Sequence, residues 1–219
     1  MVARPSPVLP AFAAAGFLVL LVLTVADWAP LHRADVAVSE FFRAYGDRGP
    51  VLVALVRVVT DVAATVPFTV AGLVVSAALA ARGARRPAAL CAVATVLVPL
   101  LWGLSQWLVH HPRPEDNHVL VTGNGFPSGH TSQATAAALV AVHLLWPRVT
   151  PRVRLVVLGL AAGFAVLIGL TRVFLLAHWP TDVLGGWLLA LAVVPAAART
   201  VAGRRPGERA VRPRSGPKG

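Results

Sequence analysis

Residues 126–146 read FPSGHTSQATAAALVAVHLLW, and the change of character at Gly129 decides how the chain is read. Pro127, Ser128, Gly129 and His130 are residues of a turn, a helix start or a polar site. The run that follows them carries no Asp, Glu, Lys or Arg. A charge-free window of this length suits a helix in a bilayer, whose hydrocarbon core of roughly 30 Å takes about 20 residues to cross.

Working outward, five further windows have the same character, so that six are expected: about 8 to 27, 62 to 81, 88 to 109, 129 to 146, 155 to 176 and 182 to 198. The composition agrees, with 57% hydrophobic and 13% charged residues against about 25% charged in an average soluble domain. The fold expected is all-α, an integral membrane six-helix bundle. Gly and Pro inside the windows do not veto helices, because neighbouring helices re-satisfy freed backbone groups in lipid. Arg57 and Asp61 stand at i,i+4 spacing before the second window and leave its start open. Arg4 before the first window allows a signal peptide, but that apolar run exceeds the usual 7–15 residues of a signal core and is read as a retained helix. One cysteine, Cys91, rules out an intrachain disulfide, and no zinc-type cysteine spacing occurs.

The net charge of +11 points to topology rather than to nucleic acid. Arg82, Arg85 and Arg86 follow the second window, Arg148, Arg152 and Arg154 the fourth, and Arg199, Arg204, Arg205, Arg209, Arg212, Arg214 and Lys218 the sixth. With six crossings these clusters share one side with the amino terminus, which the positive-inside rule makes cytoplasmic. Residues 1–198 are expected to form one transmembrane domain in the cell (plasma) membrane. Residues 199–219, rich in Pro and Gly, are expected to be a disordered cytoplasmic tail near anionic headgroups. No aromatic residue interleaves the tail arginines, so no nucleic-acid partner is expected.

The outer side receives residues 28 to 61, 110 to 128 and a tight connection around 177 to 181. In the first, HRADVAVSEFFRAYGDRG predicts a short amphipathic helix at the interface. The other connections bring together HHPRPED at 110 to 116, PSGH at 127 to 130 and TRVFLLAHWPTD at 171 to 182. Ionisable groups at membrane depth are costly and usually functional. Taken singly, each residue has a bland reading. Arg172 can snorkel, Arg113 can be a surface loop residue, Ser128 can cap a helix, and His178 with Asp182 can be a chance i,i+4 pair. Together they describe an anion seat: two arginines for phosphate oxygens, backbone amides at a glycine-opened helix start, His130 in the first turn as a proton donor, and an imidazole oriented by a carboxylate as a nucleophile.

At these residues the chain resembles the type 2 phosphatidic acid phosphatase superfamily, whose motifs are K-x6-R-P, P-S-G-H and S-R-x5-H-x3-D. The second is complete as Pro127, Ser128, Gly129 and His130. The third reads Thr171, Arg172, His178 and Asp182, with threonine for serine. The first keeps Arg113 and Pro114 but has Gln106 at the lysine position. The resemblance covers roughly residues 60 to 198, the expected phosphatase core.

The resemblance implies a lipid-phosphate phosphatase acting without metal or cofactor. His178 would attack phosphorus to give a phosphohistidine, Asp182 would orient it, and His130 would protonate the leaving oxygen. Arg113, Arg172, Ser128 and the Gly129 amide would hold the phosphoryl oxygens, and Thr171 and Gln106 stand at the remaining phosphate-binding positions. Gln106 carries no charge, so a countercharge is missing that Arg57, His110 or His111 would have to replace. The family substrates implied are undecaprenyl diphosphate, slightly favoured by an outward-facing site, phosphatidic acid and phosphatidylglycerol phosphate. The alternative left open by Gln106 is a non-hydrolytic lipid-phosphate binding or transport protein.

Overall fold

The computed structural model describes residue 2, residues 5–61 and residues 64–202. Among them are eight α-helices and no strand: α1 (Val8–Val25), α2 (Ala29–Gly46), α3 (Pro50–Asp61), α4 (Thr65–Ala81), α5 (Arg85–Leu108), α6 (Gly129–Leu145), α7 (Pro151–Phe174) and α8 (Pro180–Ala202), with a 3-10 turn at Trp146–Arg148. The expected six-helix bundle, with one amphipathic helix beside it, is therefore corrected to eight helices, α3 being the one not expected. The six apolar windows correspond to α1 and α4 to α8, and the two further helices lie between α1 and α4. The turn at Asp47–Gly49 separates them, and Pro50, with its φ fixed near the helical value, opens α3.

Among the described residues, five stretches are long and apolar enough to cross a bilayer: α1, Pro50–Ala81 containing α3 and α4, α5, α7 and α8. The chain is thus built as a multi-pass membrane protein. Helix α6, at 17 residues, reaches only the lower end of the usual spanning length of about 17–25. Helix α8 is the central post. Its apolar window is 61% buried, against 17% for α1 and α7, because α1, α5 and α6 all pack on it. Small residues allow this closeness: Leu90, Ala94 and Val98 of α5 and Ala136 of α6 pack with Ala190, Val194, Ala197 and Ala198 of α8. Apolar side chains on the outer faces, such as Phe12, Val66, Leu155 and Leu160, stay exposed. In a bilayer those faces meet their solvent.

The predicted amphipathic helix is α2, and its polarity is inverted relative to a water-soluble helix. Asp35 and Ser39 are buried, while Val38, Phe41 and Tyr45 are exposed. Asp35 accepts from the Thr181 backbone N–H at 2.9 Å and the Thr181 hydroxyl at 2.6 Å. It thereby caps the start of α8 from another helix, satisfying donors that the helix leaves orphaned. Burial pushes the Asp35 carboxyl above its ordinary value, and the Thr181 hydrogen bonds oppose that shift. Farther along α2, Arg43 donates to the Glu115 carbonyl at 3.0 Å and pairs with Asp116 at 3.3 Å. Helix α2 thus ties the 110–118 segment to α8. Helix α8 itself continues to Ala202, so Arg199 through Ala202, placed in the tail by composition, are helical, with Arg199 donating to the Pro5 carbonyl at 2.6 Å. The expected disorder of the remaining tail, 203–219, lies outside the described residues.

Candidate active site

The site forms where the α7–α8 turn meets the start of α6 and the segment after α5. Helix α7 ends at Phe174 and α8 begins at Pro180, so Leu175 to Trp179 make a tight reversal. The Ala177 and His178 N–H groups both donate to the Arg172 carbonyl, at 3.0 and 3.3 Å. This fold-back places His178 beside the helix that carries Arg172. Within the first turn of α8, Asp182 is fully buried. Its Oδ2 accepts from His178 Nδ1 at 3.2 Å and from the Trp179 N–H at 3.0 Å. The i,i+4 spacing read in the sequence is thus an actual imidazole–carboxylate pair, with Nδ1 as the donor and Nε2 left for chemistry.

Burial holds the His178 imidazole down at about 4, with the hydrogen bond and charge of Asp182 opposing and the charges of Arg113 and Arg172 adding to the depression. The ring is neutral at physiological pH, the state a nucleophile requires. Arg113 reaches it from the other side: its Nη1 lies 3.0 Å from His178 Nε2 and donates to the Ala177 carbonyl at 2.6 Å. Its Nε and Nη2 donate to the carbonyls of Gly123 and Thr122, at 3.1 and 3.3 Å. Burial lowers the Arg113 guanidinium from its ordinary value while Asp182 supports its charge.

Arg172 is 5% exposed. Its Nη1 donates to the Thr60 hydroxyl at 3.2 Å, and its Nε has no acceptor among the described residues. A buried donor without an acceptor costs about 1–3 kcal/mol, and more when it is charged. An anion seated beside Arg113 and His178 would remove that cost. His130, half-buried on the first turn of α6, faces this same charge cluster of Arg172, His178 and Arg113.

Other expected residues are placed differently from a simple reading of their types. Ser128 lies at the N-cap of α6 but makes no side-chain cap. Its Oγ accepts from Thr131 Oγ1 at 3.0 Å, and its N–H donates to the Asp182 carbonyl at 2.9 Å. Gly129 has a packing cause, since a Cβ there would meet the Trp102 indole at 2.9 Å. The Thr171 hydroxyl turns back to the Ile168 carbonyl at 2.6 Å. Gln106 donates from Nε2 to the carbonyls of Phe126 and Pro127, both at 3.1 Å. Trp102 Nε1 adds a third donor, to Pro127 at 3.2 Å. The amide that replaces the family's lysine therefore braces the peptide leading into Ser128.

Of the three groups expected to compensate for the missing lysine, His111 alone reaches the site by a hydrogen bond among the described residues. Its Nδ1 lies 3.1 Å from Asp182 Oδ1. Thr60, His111 and Asp35 were invisible as partners in the sequence, because each acts across at least 71 residues of chain. Asp61, the last residue of α3, also stands within electrostatic reach of Arg172. A hint lay in the polarity of Thr60 and Asp61 at the end of an apolar stretch. Among the described residues no cluster of His, Cys, Asp and Glu is arranged to hold a metal ion.

Residues 87–206 match the model of the PAP2 superfamily. The chain belongs to that superfamily. The match covers more than half of the chain and includes every site residue named above except Asp35, Thr60 and Asp61. The chain is 42% identical over 76 residues to phosphatidylglycerophosphatase B of Escherichia coli strain K12, a stretch of 35% of this chain and 28% of that protein. It is also 42% identical over 85 residues to glucose-6-phosphatase 3 of Mus musculus, covering 33% of this chain and 22% of that one. The aligned stretch thus spans less than a third of the length of either relative.

The fold is similar over a larger extent. It superposes on a transmembrane PAP2 type phosphatidylglycerolphosphate phosphatase from Bacillus subtilis with a TM-score of 0.73 and 25% identity, covering 86% of this chain and 93% of that one. Against LpxE of Aquifex aeolicus the TM-score is 0.51 at 24% identity, covering 74% and 93%.

Proposed function

We propose that the protein is a membrane phosphatase that hydrolyses a lipid phosphate or diphosphate through a phosphohistidine. The observation that carries this reading is the pairing of a neutral, carboxylate-oriented His178 with a buried Arg172 whose Nε lacks an acceptor. One group is suited to attack phosphorus and the other to hold the oxygens around it.

In this mechanism Arg113 turns its Nη1 from His178 Nε2 to a phosphoryl oxygen as substrate arrives. Arg172 takes a second oxygen with Nε, and the amides at the start of α6 serve a third. His178 Nε2 forms the bond to phosphorus as the bond to the leaving oxygen breaks, and His130 delivers a proton to that oxygen. Asp182 holds the Nδ1–H throughout and stabilises the cationic phosphoimidazole. Water then attacks the phosphorus, His130 takes up its proton, and phosphate leaves with the His178 imidazole restored. Positioning and charge stabilisation supply most of the acceleration in phosphoryl transfer.

Phosphatidylglycerol phosphate leads the candidate substrates because two similar proteins carry it in their names. Undecaprenyl diphosphate and phosphatidic acid follow on chemistry alone. The arginines at the α4–α5 and α6–α7 connections support cytoplasmic termini with the site at the outer face of the plasma membrane, and the chain through the end of α8 at Ala202 serves as one transmembrane domain. The test is phosphate release by purified protein in micelles from each of the three lipids, with His178→Ala beside it and acid-quenched phosphoenzyme trapped from the wild type. Release that survives His178→Ala would sink the mechanism. Release from none of the lipids, together with saturable binding of one, would favour the non-hydrolytic binder.

A further inference from the structure

We propose that His111 is a positioning residue of the phosphatase site, fixing the Asp182 carboxylate from the side opposite His178. The inference rests on the reading of His178 as the nucleophile, and it concerns what orients the group that orients it. Asp182 divides its two oxygens. Oδ2 takes His178 Nδ1 and the Trp179 N–H, while Oδ1 takes His111 Nδ1 at 3.1 Å. With Asp182 fully buried, His111 is the side-chain donor for Oδ1 among the described residues. Without it a buried carboxylate oxygen loses its donor, and the group is free to swing about its Cβ–Cγ bond. Such a swing would tilt the His178 ring to which Oδ2 is bonded.

The backbone around His111 is built to hold this contact. The His111 carbonyl accepts from the Gly125 N–H at 2.7 Å, and the Pro112 carbonyl accepts from Trp179 Nε1 at 2.8 Å. The strap is therefore tied on one side to the segment leading into α6 and on the other to the α7–α8 turn. Gly125 completes the fit: a Cβ there would stand 2.7 Å from Asp182 Oδ2. His111 also lines a cavity of about 580 Å³ between the ends of α1 and α5, together with Asp27, His32 and His110. Its side chain is 12% exposed. The residue thus belongs to the wall between this cavity and the buried carboxylate.

Asparagine tests the idea, because its Nδ2 falls near the position of a histidine Nδ1 and can donate to Asp182 without the ring. His111→Ala is expected to lower kcat about 10- to 100-fold with KM changed less than about threefold, the pattern of a misaligned nucleophile. His111→Asn is expected to recover kcat to within about threefold of the wild type. A second readout does not depend on turnover. In protein labelled with 15N-histidine, two imidazole N–H protons hydrogen-bonded to a carboxylate are expected downfield, one lost in His111→Asn and both lost in Asp182→Ala. The proposal is overturned by a kcat unchanged in His111→Ala, by no recovery in a folded His111→Asn, or by a single downfield N–H in the wild type. The resonance count decides the positioning role even if the protein releases phosphate from none of the lipids, an outcome that would count against the phosphatase reading itself.

Discussion

Arg172, near the end of α7, donates to the hydroxyl of Thr60, the penultimate residue of α3, at 3.2 Å. This bond joins a helix that composition alone did not separate to the most deeply placed cation of the site. It also fixes the direction of the guanidinium, whose Nε has no acceptor among the described residues and is open to an incoming anion. Thr60→Val keeps the shape and removes the acceptor. The variant is expected to raise KM for the phosphorylated lipid about three- to tenfold, because a buried Arg with a second orphan donor no longer presents a preformed fork. Thr60→Ser should restore it. Steady-state kinetics on the wild type and the two variants measure this directly, and an unchanged KM in Thr60→Val would mean that Arg172 is aimed by other contacts.

The titration of His178 offers a prediction with a definite sign. Burial is the largest cause of its depression to about 4; Asp182 raises it by hydrogen bond and charge, and Arg113 and Arg172 lower it further. Asp182→Asn removes the raising influences, so the midpoint must fall below that of the wild type. Arg113→Gln removes a lowering influence, so the midpoint must rise. A 15N-histidine titration by NMR reports both. In the wild type the ring is expected to stay neutral as pH falls past 6.5 and to take its proton only near about 4. A midpoint that rises in Asp182→Asn or falls in Arg113→Gln would contradict the electrostatic account of His178.

Gln106 separates a structural role from an electrostatic one. Its amide holds the carbonyls of Phe126 and Pro127, and its own carbonyl oxygen on the main chain accepts from Asn124 at 2.6 Å. Gln106→Leu would strip one donor from two carbonyls at the entrance to α6. An expected cost of about 1–3 kcal/mol would appear as a lower melting temperature and a lower kcat. Gln106→Lys keeps a donor for the same carbonyls and adds a positive charge near the phosphate seat. It is expected to lower KM or raise kcat. A lysine variant no better than the wild type would show that bracing, and not missing charge, is what the position supplies.

The sequence made some of this arrangement legible and left the rest hidden for physical reasons. Long apolar windows announce helices because a bilayer admits few other structures, so α1 and α4 to α8 were readable. Helix α3 was not, since PVLVALVRVVTD is apolar and runs toward a further apolar window with no strong breaker between them. The His178–Asp182 pair was readable because its spacing is local. The contacts of Asp182 with His111, Arg172 with Thr60, and Thr181 with Asp35 are products of helix packing and leave no periodic trace. Ser128 and Thr171 show a further limit. Both were read as phosphate ligands; the Thr171 hydroxyl donates to the Ile168 carbonyl, while Ser128 Oγ accepts from Thr131 and keeps its own O–H, a choice of rotamer that residue type does not reveal.

Asp35 provides a test of how α2 supports the site. It is 3% exposed and holds both the N–H and the hydroxyl of Thr181, the residue next to Asp182. Desolvation is the chief influence on its carboxyl, so its charge is expendable while its hydrogen bonds are not. Asp35→Asn can accept from the Thr181 N–H and donate to the hydroxyl oxygen, and is expected to change stability by less than about 1 kcal/mol. Asp35→Ala uncaps α8 and leaves a buried N–H and hydroxyl without acceptors, at a cost of about 1–3 kcal/mol. The loss should appear as a lower melting temperature in detergent and, because Asp182 lies one residue along, as a fall in kcat exceeding that of Asp35→Asn. Equal effects of the two substitutions would assign the role to the charge instead, and would place Asp35 in the electrostatics of the site together with Asp182 and His111.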